Sequence, residues 1–405
     1  MNVLPSVPRA AWPPAWAVAG ALALGAAVSL GLARFSYALL LPPMRHDLGW
    51  NYTTAGAMNT VNAAGYLLGA LLTQRWLQRH DARHLLVAGS AAAAVLLAAH
   101  GFVLSDAALV VLRLLTGVAS AATFVAGGLM AAALGQSAAP GERPLRAGLA
   151  LGLYYGGTGV GIIVSALLVP AIVESPRAHA WQAAWIALGA AAAVCAAITW
   201  RMTRHLSMPP VAAGERAPFR WGSLRFGLLG YLMFGLGYIG YMTFIVTLLR
   251  EQGVSAGRIV GFYALLGAGV IASSWLWAGL LQRHRGGRAM AWLNGVLAVA
   301  TLLPVLTAHP LAAFASAALF GGVFLSVVAS TTAMVRHNLP TSAWPAGISA
   351  FTIVFALGQI VGPTLVGRLA DGPGGLARGL ATSALVLALG ALLASRQKAL
   401  PPVQS

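Results

Sequence analysis

The chain alternates between long apolar runs and short polar clusters rich in arginine, proline or glycine. A bilayer core is crossed by a helix of about 20 mostly apolar residues. Twelve runs fit, at approximately 15–42, 53–75, 84–104, 107–135, 147–173, 181–201, 222–249, 258–281, 289–308, 310–335, 345–369 and 378–395. The narrowest separations are Ser105-Asp106 and His309-Pro310. In lipid the backbone must satisfy its own hydrogen bonds, so each run is expected to be helical. The first run exceeds the apolar core of a cleavable signal and is expected to remain as the first span. The longest connection on the side of the termini, 202–221, carries Pro209, Pro210, Gly214 and Pro218 and divides the spans six and six. The expectation is an all-α integral membrane protein. It has a tail (1–14), a six-helix bundle (15–201), a central loop (202–221), a second six-helix bundle (222–395) and a second tail (396–405).

Composition agrees. The chain is 59% hydrophobic and 8% charged, whereas soluble proteins carry about 25% charged residues. The net charge of +17 does not form a nucleic-acid surface, because its arginines fall in short clusters between apolar runs. With both termini in the cytoplasm, 17 of the 25 basic residues fall on the inner side and two, Arg34 and Arg113, within spans. That bias orients the protein by the positive-inside rule. A single cysteine, Cys195, excludes an intrachain disulfide and a cysteine-based metal site. No metal site or cofactor motif is present, and none of H-E-x-x-H, G-x-S-x-G or a P-loop occurs, so an enzyme is not expected.

The two halves repeat. At an offset of 204 residues Gly31, Tyr37, Gly49, Gly65, Gly117 and Met130 meet Gly235, Tyr241, Gly253, Gly269, Gly321 and Met334. The tetrapeptide LQRH recurs at 77–80 and 281–284. At an offset of 201, Gly157 and Gly161 meet Gly358 and Gly362. Parallel six-helix repeats imply a pseudo-two-fold axis along the membrane normal and a ligand site between the halves.

The stretches GLARFSYALLLPPMRHDLGW (31–50), NTVNAAGYLLGALL (59–72), RLLTGVASA (113–121), GLGYIGYMTF (235–244) and FALGQIVGP (355–363) resemble the major facilitator superfamily. Within it they are similar to the bacterial YbfB/YjiJ-type branch. The resemblance covers about residues 20–395. It implies a cytoplasmic-membrane transporter in which spans 1, 4, 7 and 10 line a central cavity. The superfamily's loop motif after the second span, G-x-x-x-D-R-x-G-R-K, survives here as Gly69 with Arg75 and Arg79, and Arg283 in the repeat. Its Asp is replaced by Thr73, which argues against an Asp latch at that loop. The fourth-span motif is intact as Arg113 and Gly117. Gly157, Gly161, Gly358, Gly362 and Pro363 complete the candidate conformational residues.

All eight carboxylates fall in loops or at span edges, whereas proton relays use intramembrane acids or histidine. His100 is the one plausible intramembrane histidine and is read as structural. The intramembrane charges are cationic. Arg34 is about 8 residues from the outer end of its span and Arg113 about 6, or roughly 12 and 9 Å deep. Either could snorkel, bond neighbouring carbonyls, or hold an anion. Tyr37, one turn from Arg34, is expected on the same face. Asn59, Asn62 and Tyr66 form a polar stripe on span 2. Across the repeat, Arg34 corresponds to Tyr238 and Arg113 to Ala317, which sets cations in one half against Tyr238 and Tyr241 in the other. Gln359 is a further candidate contact, with Tyr154 and Thr158.

These residues point to transport of a small organic solute, preferably an anion, by alternating access of a monomer in lipid. The second expectation is efflux of hydrophobic compounds.

Overall fold

The computed structural model describes residues 14–134, 147–206, 208 and 219–401. Arg9, Arg143, Arg146 and most of the central loop lie outside them. Twelve long helices run antiparallel in sequence: α1 Ala15–Asp47, α2 Tyr52–Trp76, α3 Ala82–His100, α4 Asp106–Leu134, α5 Ala147–Val173 and α6 Ala180–Thr203, then α7 Arg225–Glu251, α8 Ala256–Arg283, α9 Arg288–Leu306, α10 Pro310–Asn338, α11 Trp344–Ala370 and α12 Gly375–Ser395. Residues 14 and 401 and the link between α6 and α7 therefore share one end of the bundle, here the terminal end.

Eleven of these helices are long and apolar enough to cross a membrane; α2 is not. The sequence reading counted α2 as a twelfth apolar run. Its Thr53, Thr54, Asn59, Thr60 and Asn62 lower its hydropathy, and several of them bond to other helices rather than face lipid. Polar residues in a span are accepted where the protein itself satisfies them.

The first span also departs from expectation. It continues through Pro42 and Pro43 to Asp47, and Ala27–Phe35 is wound as a π-helix. The Ser36 amide bonds the Gly31 carbonyl five residues back, at 3.1 Å. Gly31 packs so closely on α5 that an added Cβ would lie 2.5 Å from the Gly161 Cα. Two consequences follow for Arg34. Thirteen residues separate it from the end of the helix at Asp47, about 20 Å, and its side chain is buried among the helices. The widened turns also separate it from Tyr37, which turns to Arg113 instead. Such local π winding is frequent at functional sites.

The internal repeat is a repeat of contacts. A Cβ on Gly117 (α4) would sit 2.2 Å from the Asn62 carbonyl oxygen of α2; on Gly321 (α10) it would sit 2.1 Å from the Leu266 oxygen of α8. Gly65 and Gly269 face the same crossings from the other side. Gly157 and Gly161 seat α5 on α1 at Ala23 and Ala27, as Gly358 and Gly362 seat α11 on α7 at Leu232 and Leu236. Gly69 packs on Val118. These glycines let backbones touch within each half. Gly49 and Gly253 end α1 and α7 at φ +65° and +76°, a conformation that glycine adopts without strain.

Gly117→Ala and Gly321→Ala should each lower the melting temperature of the purified protein, and by similar amounts, because both methyls meet backbone. A loss at one position only would show that the crossings are not equivalent.

Candidate functional site between the halves

Arg34 is 3% exposed. Its guanidinium carbon lies 5.4 Å from the centroid of the Tyr66 ring. Its Nε and Nη2 are buried and have no hydrogen-bond partner among the described residues. Tyr238, its counterpart in the repeat, accepts a hydrogen bond from the Gln359 amide and stacks on Phe324, which meets the ring of Phe35 beside Arg34. The structure thus brings Arg34, Tyr66, Tyr238 and Gln359, from α1, α2, α7 and α11, to one place between the halves. Thr158 of α5 also has a buried hydroxyl without a partner.

The other candidates bond mostly within their own half, Asn59 alone among them also reaching across to Thr243. Arg113 is 1% exposed, and three of its donors are occupied: Nη2 by Asn59 Oδ1 at 3.1 Å, Nη1 by the Ala33 carbonyl at 3.3 Å and Nε by the Met58 carbonyl at 3.4 Å. It lies over the Tyr37 ring at 4.6 Å, and Asn62 donates to its carbonyl oxygen. The Tyr37 hydroxyl donates to Ala55 O at 2.9 Å. In the second half Tyr241 pairs with Ser316 at 2.6 Å and stacks on Phe320. Arg113 therefore bonds carbonyls and does not snorkel. Tyr154 donates to the Phe124 carbonyl of α4. His100 packs inside the first half, with Nδ1 2.7 Å from the Leu96 carbonyl oxygen and its ring stacked on Trp185.

The end away from the termini is sealed across the halves. Asn59 donates to Thr243, and Thr60 bonds the Ile360 carbonyl and Thr364. Gly56 lies against the Pro363 carbonyl, and Gly367 against that of Tyr52. Tyr52 meets Glu251, and Arg45 lies 3.8 Å over the Tyr52 ring. Arg250 pairs with Glu174 at 3.1 Å. Asp371, just past α11, caps the N terminus of α2. The Tyr52 and Thr53 amides donate to its two oxygens at 2.8 and 2.9 Å, and the Thr53 hydroxyl adds a third bond at 2.6 Å. Asn51 takes the Thr54 amide, so three of the four orphan amides of that terminus are satisfied. The negative charge also suits the helix dipole.

At the terminal end the halves part around a cavity of about 610 Å³, lined by Gln74, Gln78 and Val125 on one side and by Trp221, Pro345 and Ser349 on the other. Arg75, Arg79 and Arg283 are exposed there and form no ion pair among the described residues. Tyr155 of α5 is 36% exposed. Its ring packs on Phe124 and Tyr154.

Sequence reasoning missed Asp371, which reads there as a surface turn, and the cross-half glycines Gly56, Gly367, Gly159 and Gly267. Gly159 of α5 and Gly267 of α8 meet across the halves, where a Cβ on Gly159 would lie 2.3 Å from the Gly267 carbonyl oxygen. No local pattern marks which glycines face the opposite half.

Residues 26–395 match the family model described as the uncharacterised MFS-type transporter YbfB. This chain belongs to that family of major facilitator transporters. Solved structures similar to this major facilitator protein include a bacterial homolog of the human lysosomal transporter Spinster. Its inward-facing, unoccupied form has a TM-score of 0.72 at 14% identity, covering 95% of this chain and 96% of that one. Its inward-facing, occupied form has a TM-score of 0.69 at 16% identity, over 95% and 98%. A mutant of the nucleoside transporter NupG has a TM-score of 0.70 at 14% identity, over 93% and 98%. At these identities the likeness is one of fold. No curated protein matches the sequence.

The sealed end carries a pH dependence. Partial burial raises the Asp371 carboxyl, but the Thr53 hydroxyl, the Thr53 and Tyr52 amides and the Arg45 charge outweigh it and hold it below the usual carboxylate value. Its contribution to the seal is therefore present at neutral pH and is lost as pH falls through that lowered value. Asp371→Asn should loosen the seal at pH 7. The check is labelling of Thr60→Cys by an impermeant thiol reagent in a Cys195→Ala background. Faster labelling is expected in the Asp371→Asn protein, and unchanged labelling would show that the cap does not hold the seal.

Proposed function

We propose that this transporter carries a small organic anion by alternating access between its two six-helix halves, with Arg34 as the anion-binding group. The observation that carries the reading is the buried Arg34 guanidinium with Nε and Nη2 unpaired. A guanidinium stays charged and is costly in a membrane interior unless something answers it. Two adjacent unpaired N–H groups match a carboxylate held by paired hydrogen bonds. The seal at one end and the cavity at the other suit a carrier open toward its termini. The arginine bias supports placing those termini in the cytoplasm, with the protein in a bacterial inner membrane.

The described carboxylates lie in loops or at helix ends. This favours exchange, facilitated diffusion or symport in which the substrate itself carries the proton. The test is a thermal-shift screen of purified protein against carboxylates, their neutral amides, sugars and lipophilic cations. A ligand that binds the folded state raises its melting temperature by mass action. Stabilisation by carboxylates and not by their amides is expected. Stabilisation only by neutral or cationic compounds would overturn the anion reading.

A further inference from the structure

We infer that the anion is aromatic, a flat ring bearing one carboxylate, with the ring against the second half and the carboxylate at Arg34. The inference rests on the reading of Arg34 just given.

The wall opposite Arg34 is built of parallel rings. Tyr231, Phe234 and Tyr238 recur at helical spacing on α7, stacked at 5.5 and 4.7 Å with 18° between planes in each pair. Phe355 of α11 lies against all three, at 4.9, 5.5 and 5.6 Å and within 17° of parallel. Phe324 of α10 is 6.0 Å from Tyr238 at 10°. Aromatic pairs adopt offset-stacked or edge-to-face arrangements, so five rings sharing one orientation form a ladder to which one more flat ring can be added by offset stacking. A wall meant for any apolar body would need only aliphatic side chains.

The ladder ends at the cation. Tyr238 holds the place in its half that Arg34 holds in the other, and Phe324, stacked on Tyr238, lies edge-on at 5.7 Å to Phe35, the residue next to Arg34 on α1. Because the Gln359 amide donates to the Tyr238 oxygen, the phenol proton is free to donate to an acceptor on a ligand. Of the ladder rings Phe355 is the one only half-buried, as is Tyr66 beneath Arg34. A ligand bound between the halves would answer the Arg34 charge and pack on the rings that are only half-buried, Phe355 and Tyr66. A single carboxylate suits Arg34 because Arg113, the next cation, is already bonded to carbonyls and Asn59.

The experiment is calorimetric titration of purified full-length protein with benzoate and 3-phenylpropionate, each paired with its cyclohexyl counterpart, and with benzamide. The aromatic acids should bind about five-fold or more tighter than the saturated ones. Phe355→Leu should remove that preference while acid binding persists. Equal binding of aromatic and saturated acids to the native protein would overturn the aromatic inference and leave the anion reading standing. Benzamide binding as well as benzoate would overturn the anion reading instead. No binding by any of the five would overturn both.

Discussion

Arg34→Met is expected to abolish uptake into proteoliposomes and, in the absence of ligand, to raise the melting temperature. The two effects have one cause. The Arg34 side chain is buried with two unpaired donors, and each unsatisfied buried polar group costs about 1–3 kcal/mol. Methionine fills similar space without that cost and without the charge. On the anion-binding reading the group is kept for a partner that comes and goes, at a cost in stability. Arg34→Lys should recover little uptake, because an ammonium keeps the charge but loses the planar fork that receives a carboxylate on two N–H groups. Native-level transport by the methionine variant would remove Arg34 from the site. A fall of several degrees in its melting temperature would make the residue structural.

Arg113→Met should do the reverse in stability. Its three hydrogen bonds and its position over Tyr37 join α4 to α1 and α2. Its loss leaves Asn59 Oδ1 without that donor and loosens the link from Asn59 to Thr243 across the halves. Hydrogen bonds to charged groups are worth more than neutral ones, and a net loss of about 2–3 kcal/mol is expected. It would be read as a lower melting temperature in detergent. Arg113→Lys should not rescue it, because one ammonium cannot reach three acceptors in that geometry. A stability equal to native would show that these bonds only repay the burial of the charge. Two arginines of one chemical type and similar burial are thus expected to shift stability in opposite directions, and the difference lies in whether their donors are occupied.

The repeat was legible because it is local. Glycines at fixed offsets must serve equivalent crossings, and Gly117 and Gly321 do so almost atom for atom. The polar stripe of α2 was legible as a stripe, but its division was not. Asn59 and Asn62 turn to Arg113 while Tyr66 turns to Arg34, and a helical period does not distinguish the neighbour on each side. Arg34 and Tyr37 parted because the π turns at Ala27–Phe35 change the angular spacing that an ordinary helix would have imposed. Those turns accompany the close contact of Gly31 with Gly161, residues 130 positions apart. Pro42-Pro43 reads as a helix end, yet the helix continues to Asp47.

By itself the sequence determined that the chain is a two-fold repeat of six membrane helices and that its buried charges are cationic. Apolar run length, glycine spacing and the placement of acids are properties of the chain read along its own axis. The tertiary structure alone decided which arginine is satisfied, which end of the molecule is closed and that Asp371 caps α2 there. Each of those turns on where groups from distant helices meet, and the hydrogen-bond partner of a buried charge is set by that meeting rather than by its neighbours in sequence.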